Sequence, residues 1–147
     1  AGSPYTGDNE FVKKFAEWAK ENIEKFLWSE MHCYSEALWV GWIADVGWVD
    51  KQGRIIAGDF KSSKEAYFDQ FIQIAGYDIQ ISENGGFDAE GNKKMEPQKA
   101  SGYCVIPFGA DELVPEFQYD TEGYRIGFEN AVSLYKSSES FANNKIK

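Results

Sequence analysis

Residues Val40–Lys61 read VGWIADVGWVDKQGRIIAGDFK, and this segment limits how the rest of the chain can be arranged. Two runs rich in β-branched and aromatic residues flank a polar segment, Asp50–Gly53, that ends in glycine. The pattern is typical of a β-hairpin, because glycine tolerates the positive φ that a tight turn requires. The sequence therefore predicts strands over Val40–Val49 and Arg54–Lys61, joined by this turn.

The turn also predicts which side chains face each other. A hairpin that is symmetric about Gln52 places Asp45 opposite Asp59. Directly opposed carboxylates have Cβ atoms about 4.5–5.5 Å apart and repel each other. Because side chains alternate along a strand, Lys61 projects from the same face as Asp59. The hairpin thus predicts two acids and an amine together on one face of a sheet.

The other residues of the hairpin are apolar on both faces, as in a sheet covered by helices on each side. Carboxylates in such positions are costly unless a cation neutralises them. Mg²⁺ or Mn²⁺, which prefer oxygen ligands, would fit two acids, a backbone carbonyl and waters. An ion pair between Lys61 and one acid, or a register shifted by one residue, would instead give these acids a purely structural role.

Hydrophobic spacing outside this hairpin predicts the remaining elements. The predicted helices are residues 9–27 with Asp8 as N-cap, 65–80 and 122–136, and the further strands are Ser29–Glu36, Tyr103–Ile106 and Leu113–Tyr119. Residues 82–100, rich in glycine and asparagine, form a loop or a weakly marked hairpin. The fold class is therefore α/β.

Length and composition place these elements in one domain, residues 1–147, with 43% hydrophobic side chains and a formal net charge of −9. No apolar run reaches the about 18 residues of a membrane span, and two cysteines are too few for a disulfide framework. A soluble, cytoplasmic protein without a membrane partner is expected. The acidic charge excludes a broad basic surface for nucleic acid, so phosphate chemistry would need a local site. The opening Ala1-Gly2-Ser3 lacks an initiator methionine, which is consistent with truncation at the N-terminus.

The next predicted helix adds two polar side chains to the pattern. Gln73 and Tyr77 are four residues apart and share one helical face. Together, Gly41-Trp-Ile-Ala-Asp45, Asp59-Phe-Lys61 and Gln73-Ile-Ala-Gly-Tyr77 resemble motifs two, three and four of the PD-(D/E)xK nuclease superfamily. The resemblance is to the RecB-like or phage-type exonuclease branch, which carries a QxxxY motif, and it covers roughly residues 28–80. It rests on the order and spacing of the motifs, since each short motif alone is common.

The resemblance implies a restriction-endonuclease-like core, a central mixed β-sheet of four or five strands flanked by helices. It also implies a Mg²⁺- or Mn²⁺-dependent deoxyribonuclease, an exonuclease of phage or of recombination and repair, with DNA as substrate. Asp45 and Asp59 would bind the metal, with the backbone carbonyl of Phe60 as a third ligand. Lys61 would orient or activate the attacking water and stabilise charge on the phosphoryl group.

For the remaining site residues the resemblance is looser. Gln73 and Tyr77 would position the substrate or the lysine, and Glu30 corresponds to a glutamate that often opens the first strand in this branch. The family usually adds a Glu or His from an upstream helix. Here that residue would lie upstream of Ala1 or among three glutamates that the first predicted helix carries, Glu17, Glu21 and Glu24.

Departures from the family pattern keep two other functions open. A catalytically silent nuclease fold could bind DNA or a protein partner, since the first motif is missing and the chain is acidic. An acidic chain is expected to bind DNA weakly unless a partner subunit supplies basic charge, and a homo-oligomer also stays open. An aromatic-rich module could bind sugar or protein, although strand alternation places Trp42 and Trp48 on one face as core. Trp42 also stands where the family has glycine, and a β-bulge beside the site would accommodate it.

Overall fold

A computed structural model describes the backbone of residues 6–146 and the side chains of residues 10–138. Its helices are α1 (Thr6–Asn22), α2 (Phe68–Asn84) and α3 (Thr121–Ile146). Its strands are β1 (Ile23–Ser35), β2 (Val40–Asp50), β3 (Ile55–Lys61), β4 (Gly86–Phe87), β5 (Lys93–Met95), β6 (Gly102–Pro107) and β7 (Glu116–Gln118). None of the helices within the described residues is long and apolar enough to span a membrane.

The strands form one mixed sheet in the order β5-β4-β1-β2-β3-β6-β7, which confirms the α/β class. Strand β3 runs parallel to β6, and the other neighbours are antiparallel. The sheet has seven strands rather than four or five, because the segment 82–100 contains the short hairpin β4–β5, which joins the edge of β1. Strands of two and three residues leave too little alternation to be recognised in a sequence.

The β2–β3 hairpin has the predicted register. Val46 pairs with Gly58 and Val49 with Ile55, and Gly53 has a φ of +82°. The Asp50 carboxylate accepts the turn's backbone N–H groups and an N–H of Arg54. The turn is therefore fixed by local hydrogen bonds, so its register is set independently of the rest of the sheet.

The first helix lies closer to the N-terminus than predicted, because it begins at Thr6, before the expected cap Asp8, and ends at Asn22 rather than at residue 27. Ile23 and Phe26, which matched a helical spacing, belong to β1. The pairing of β1 with β2 shifts register twice along this stretch, between Ile23 and Lys25 and again after Phe26. Bulges of this kind break the two-residue alternation of a strand and leave a spacing that imitates a helix.

Different helices cover the two faces of the sheet. Helix α1 packs on one face, around Trp48 and Ile56, and α2 with α3 packs on the other, around Ala57 and Phe128. The prediction that Trp42 and Trp48 share a face is wrong, since Trp42 contacts α2 and α3 while Trp48 contacts α1.

The alternation of side chains is interrupted where β1 and β2 pass each other. The pairing runs on both sides of Glu30 and Asp45 but skips these two residues, and Glu30 has a φ of +51°. Positive φ is unfavourable for a residue with a Cβ atom and marks an irregular position in a strand. This irregularity explains why Trp42 lies on the α2 face.

The C-terminal third follows the predicted order. The buried strand predicted at Tyr103–Ile106 lies inside β6, and the edge strand predicted at Leu113–Tyr119 is limited to β7. The closing helix predicted over 122–136 is α3, which continues to Ile146.

Candidate active site

Two of the predicted site residues, Asp59 and Lys61, lie on the face of β3 that α2 covers. Asp59 and Lys61 follow Ala57 at two-residue intervals, and Ala57 belongs to the core beneath α2. The Asp59 side chain is almost wholly buried, and its Oδ2 lies 2.7 Å from Nζ of Lys61. The lysine is partly exposed, so the ion pair lies at the boundary between the core and solvent.

Asp45 lies beside this ion pair. The backbone pairing of β2 with β3 extends to Val46 and Gly58. Just beyond it, the Phe60 backbone N–H donates to Asp45 Oδ2 at 3.0 Å, so a carboxylate oxygen replaces a backbone carbonyl as the acceptor. Burial, together with the hydrogen bonding and negative charge of Asp45, raises the pKa of Asp59 to about 7, although Lys61 acts in the opposite direction. One lysine thus neutralises only part of the charge of two adjacent carboxylates.

Asp59 is also short of hydrogen-bond donors. Among the described residues, Lys61 is the one group that brings an N–H to its Oδ2, in an ion pair of 2.7 Å. A buried carboxylate that faces a second carboxylate and has one lysine as its partner is only partly compensated. The site therefore presents a buried oxygen that is able to accept a further ligand.

A chain of hydrogen bonds connects the lysine to α2. Lys61 Nζ donates to Gln73 Oε1 at 2.8 Å, and Gln73 Nε2 donates to the Tyr77 hydroxyl at 2.8 Å. Burial, followed by the charges of Asp59 and Asp45, raises the pKa of Tyr77, so its hydroxyl stays protonated at neutral pH. The structure thus brings together all five side chains that the sequence predicted as catalytic.

Trp42 extends this cluster. Its ring lies edge-on to Tyr77 at 5.7 Å and to Phe128 of α3 at 5.4 Å. Gly76 makes this approach possible, since a Cβ atom there would come within 2.6 Å of both Trp42 and Phe128. Sequence reasoning missed this role of Trp42, and the signal was Gly76, because a glycine inside a helix is unfavourable unless a neighbour needs the space.

The other predicted candidates do not join the cluster. Glu30 is exposed, and within the described part of the chain its side chain makes no hydrogen bond or ion pair with the site. Glu17 and Glu21 are carried by α1, which packs on the opposite face of the sheet. Glu24 lies in β1 and pairs with Lys51 at 3.2 Å. None of these three exposed glutamates therefore belongs to the cluster.

The donors of the site suit a small hard cation. Among the residues described, no three His, Cys, Asp or Glu side chains lie close enough together to hold a metal ion. Two carboxylates remain, Asp45 and Asp59, with the Phe60 peptide hydrogen-bonded to one of them. Mg²⁺ is commonly bound through one or two protein carboxylates, with waters and substrate phosphates as its other ligands. The residues present therefore fit such an ion, and the supporting observation is the buried Asp59 carboxylate, which faces Asp45 and has one lysine as its partner.

A second buried aspartate lies one residue beyond the site. Asp78 Oδ1 accepts from the backbone N–H of Ala100 at 2.8 Å and from Ser82 at 3.3 Å. Its Oδ2 accepts from the Tyr103 hydroxyl at 2.6 Å and from Arg125 at 3.1 Å. These four donors come from α2, the segment before β6, β6 itself and α3, so Asp78 joins the elements on this face of the sheet.

Comparison with protein-family models found no match, and comparison with curated proteins found no similar sequence. The geometry of the cluster therefore has to support any functional assignment by itself.

Proposed function

We propose that this chain is a metal-dependent deoxyribonuclease with a restriction-endonuclease-like core, which hydrolyses phosphodiester bonds from DNA ends as an exonuclease. The observation that carries the proposal is the buried pair Asp45 and Asp59, held beside a single lysine and short of hydrogen-bond donors. A fold that used these acids only for stability would be expected to supply a donor for each oxygen.

In this proposal Asp45, Asp59 and the carbonyl of Phe60 would hold Mg²⁺ or Mn²⁺. The bound ion would polarise the phosphoryl group and lower the pKa of a water molecule. The raised pKa of Asp59 supports this role, because a nearby cation would favour the ionised carboxylate and so relieve its burial.

Lys61 would act on the scissile phosphate. Its ammonium group has three N–H bonds, and one of them is directed to Gln73 while Asp59 provides the opposite charge. The partly exposed side chain can direct a further N–H to a phosphoryl oxygen or to the attacking water. Gln73 and Tyr77 would position the ammonium, since their hydrogen bonds fix which end of the amide faces it.

Cleavage assays on purified protein test the proposal. The wild type with Mn²⁺ or Mg²⁺ is expected to degrade linear DNA and to leave a covalently closed circle intact. Lys61→Ala is expected to lose this activity by about 10²-fold or more, the effect typical of a group that stabilises charge in the transition state. Lys64→Ala serves as the matched control, because Lys64 is an exposed lysine of the same segment.

Each alternative has its own result in the same assay. Unchanged cleavage by a pure, folded Lys61→Ala protein would refute the mechanism, and cleavage of the closed circle would refute the exonuclease assignment. Metal binding without cleavage would favour the second candidate, a catalytically silent DNA-binding or interaction domain. That candidate is supported by the absence of a third acidic side chain at the site among the described residues.

A further inference from the structure

A groove beside Trp42 is a second feature of the α2 face, and apart from Trp42 its lining residues lie outside the candidate active site. It lies between the β1–β2 turn and α3, has a volume of about 420 Å³, and is lined by Leu38, Trp39, Val40, Trp42, Val132 and Tyr135. Resting on the proposed nuclease function, we propose that this groove stacks unpaired nucleobases of the substrate, so that the enzyme acts on single-stranded DNA or on unpaired ends.

The charge of the chain supports stacking as the source of affinity. Most DNA-binding proteins gain affinity from Lys and Arg contacts to phosphates and the release of counterions. This chain has a formal net charge of −9, which opposes that contribution. Stacking of bases on aromatic side chains is worth about 1–3 kcal/mol per base and needs no cationic side chain. A substrate held by this acidic chain would therefore depend on aromatic contacts close to the site.

Trp42 lies between the groove and the candidate active site. It forms one wall of the groove, and the same ring contacts Tyr77, which is hydrogen-bonded to Gln73. The strand rise of about 3.3 Å per residue puts the Cα atoms of Trp42 and Asp45 about 10 Å apart. In a stacked strand, which rises about 3.4 Å per nucleotide, this is a separation of about three nucleotides. Lys136, which also lines the groove, offers a cation to a phosphate of a bound nucleotide.

Trp39 is held outward by its backbone. It is 85% exposed and has a φ of +56°, a conformation that is unfavourable for a residue with a Cβ atom. Adopting this conformation opposes folding, and the exposed indole contributes little buried area to offset it. Strain of this kind is found where the position of a side chain matters for binding.

The turn that carries Trp39 is fixed by α2. Glu83 accepts a hydrogen bond from the Ser35 hydroxyl at 2.5 Å and further bonds from the backbone N–H groups of Glu36 and Ala37. The Leu38 N–H donates to Ser35 Oγ at 3.1 Å. The groove wall is thus already ordered before any ligand arrives, which lowers the entropy cost of binding.

Only unpaired bases can use such a groove. A base in a duplex is stacked on its neighbours on both sides, so it cannot lie against an indole without being unstacked. A lining that includes three aromatic residues and a lysine suits a nucleotide, which combines a planar ring with an anionic phosphate. A sugar or a peptide would also contact aromatic walls, and the experiment includes both a sugar and a duplex as competitors.

The test measures binding without cleavage. Fluorescence anisotropy of a labelled oligothymidylate is recorded in EDTA, with wild type, Trp39→Ala, Trp39→Phe and Phe26→Ala. Phe26 is the matched control, since it is an exposed aromatic residue on the α1 side of the sheet. Trp39→Ala is expected to weaken binding by about fivefold to a hundredfold, as loss of stacking on one base predicts. Trp39→Phe should retain most of the affinity and Phe26→Ala all of it.

Further readouts separate stacking from other contacts. The affinity should change little with salt, because few phosphates are neutralised, and the matching duplex or an oligosaccharide should compete poorly. The inference is overturned if wild type does not bind the oligonucleotide, if Trp39→Ala and Phe26→Ala bind alike, or if the oligosaccharide displaces it. If the protein cleaves DNA but its binding does not depend on Trp39, base stacking in the groove is refuted and the proposed nuclease function stands. If binding depends on Trp39 but no metal supports cleavage, only the nuclease function is refuted.

Discussion

Asp59 and Asp78 are both nearly fully buried, yet their surroundings are opposite. Asp78 receives four donors, among them Tyr103 and Arg125, and is the point where several elements meet. Asp59 faces another carboxylate and has Lys61 as the one cation beside its Oδ2 among the described residues. Burial of an acid therefore does not by itself indicate function. A complete set of partners indicates a structural role, and the incomplete set makes Asp59 the candidate functional acid.

The largest effect is expected when the charge of Asp78, the acid with a complete set of partners, is removed. Asp78→Asn should lower the free energy of unfolding by about 3–5 kcal/mol, because it leaves a partly buried Arg125 without its counter-charge. Urea denaturation measures the change. Glu96→Gln is the control, since the ion pair of Glu96 with Lys93 is exposed and long at 3.4 Å, and its loss should cost less than about 1 kcal/mol. A loss below about 1 kcal/mol for Asp78→Asn would show that the network is not structural.

The same substitution at Asp59 should change the free energy of unfolding in the opposite direction. Asp59→Asn removes one of two adjacent carboxylates, so we expect it to stabilise the metal-free protein at neutral pH by about 1–2 kcal/mol. Manganese at about a hundred times its dissociation constant should stabilise the wild type by about 2.7 kcal/mol, and Asp59→Asn should lose this gain. Thermal unfolding with and without the metal measures both effects. Destabilisation of the metal-free protein by Asp59→Asn would make Asp59 a structural acid like Asp78.

The pH dependence of stability tests the raised pKa directly. The native protein holds a proton on Asp59 up to about pH 7, whereas the unfolded chain releases it near pH 4. Between these values the native state binds more protons, so this group makes stability fall as pH rises, by at most about 1.4 kcal/mol per unit. The difference between wild type and Asp59→Asn across pH 4–7, without metal, isolates the effect. A difference that does not change with pH would contradict it.

The smallest expected effect concerns the irregularity beside Asp45. Glu30→Gly relieves the φ of +51° but adds the entropy cost of glycine, so stability should rise by only about 0.5 kcal/mol or less. Glu30→Val, a β-branched residue that resists positive φ, should lose about 1–2 kcal/mol. Urea denaturation distinguishes the two. Equal stability of both variants would mean that the irregularity is not required to set the face of Asp45.

The part of the site that could be predicted lies in contiguous sequence. A short turn with Gly53 determines the β2–β3 register, and helical spacing brings Gln73 and Tyr77 to one face. These local rules predicted each part of the candidate site, and the family resemblance predicted that the two parts meet. The face of Trp42 could not be predicted, because the irregularity at Glu30 has no sequence signature in Trp42 itself.

The cluster around Asp78 was likewise out of reach of local rules. Its partners Ala100, Tyr103 and Arg125 lie far along the chain, in elements that only the assembled sheet brings together. The sequence patterns used for the hairpin and for α2 relate residues within one or two turns of each other. A network that joins four segments leaves no such pattern.

The parallel pairing of β3 with β6 has a consequence for the order of folding. The β2–β3 hairpin closes through a short turn, whereas β3 and β6 are separated by α2 and the β4–β5 hairpin. Contacts between residues distant in the chain form more slowly, since a longer loop must be ordered first. We therefore expect Asp45 and Asp59 to meet in a hairpin that is still hydrated, where water screens their repulsion. Docking of β6 would then be the slow step, and it would remove that water only after the lysine and α2 are in place.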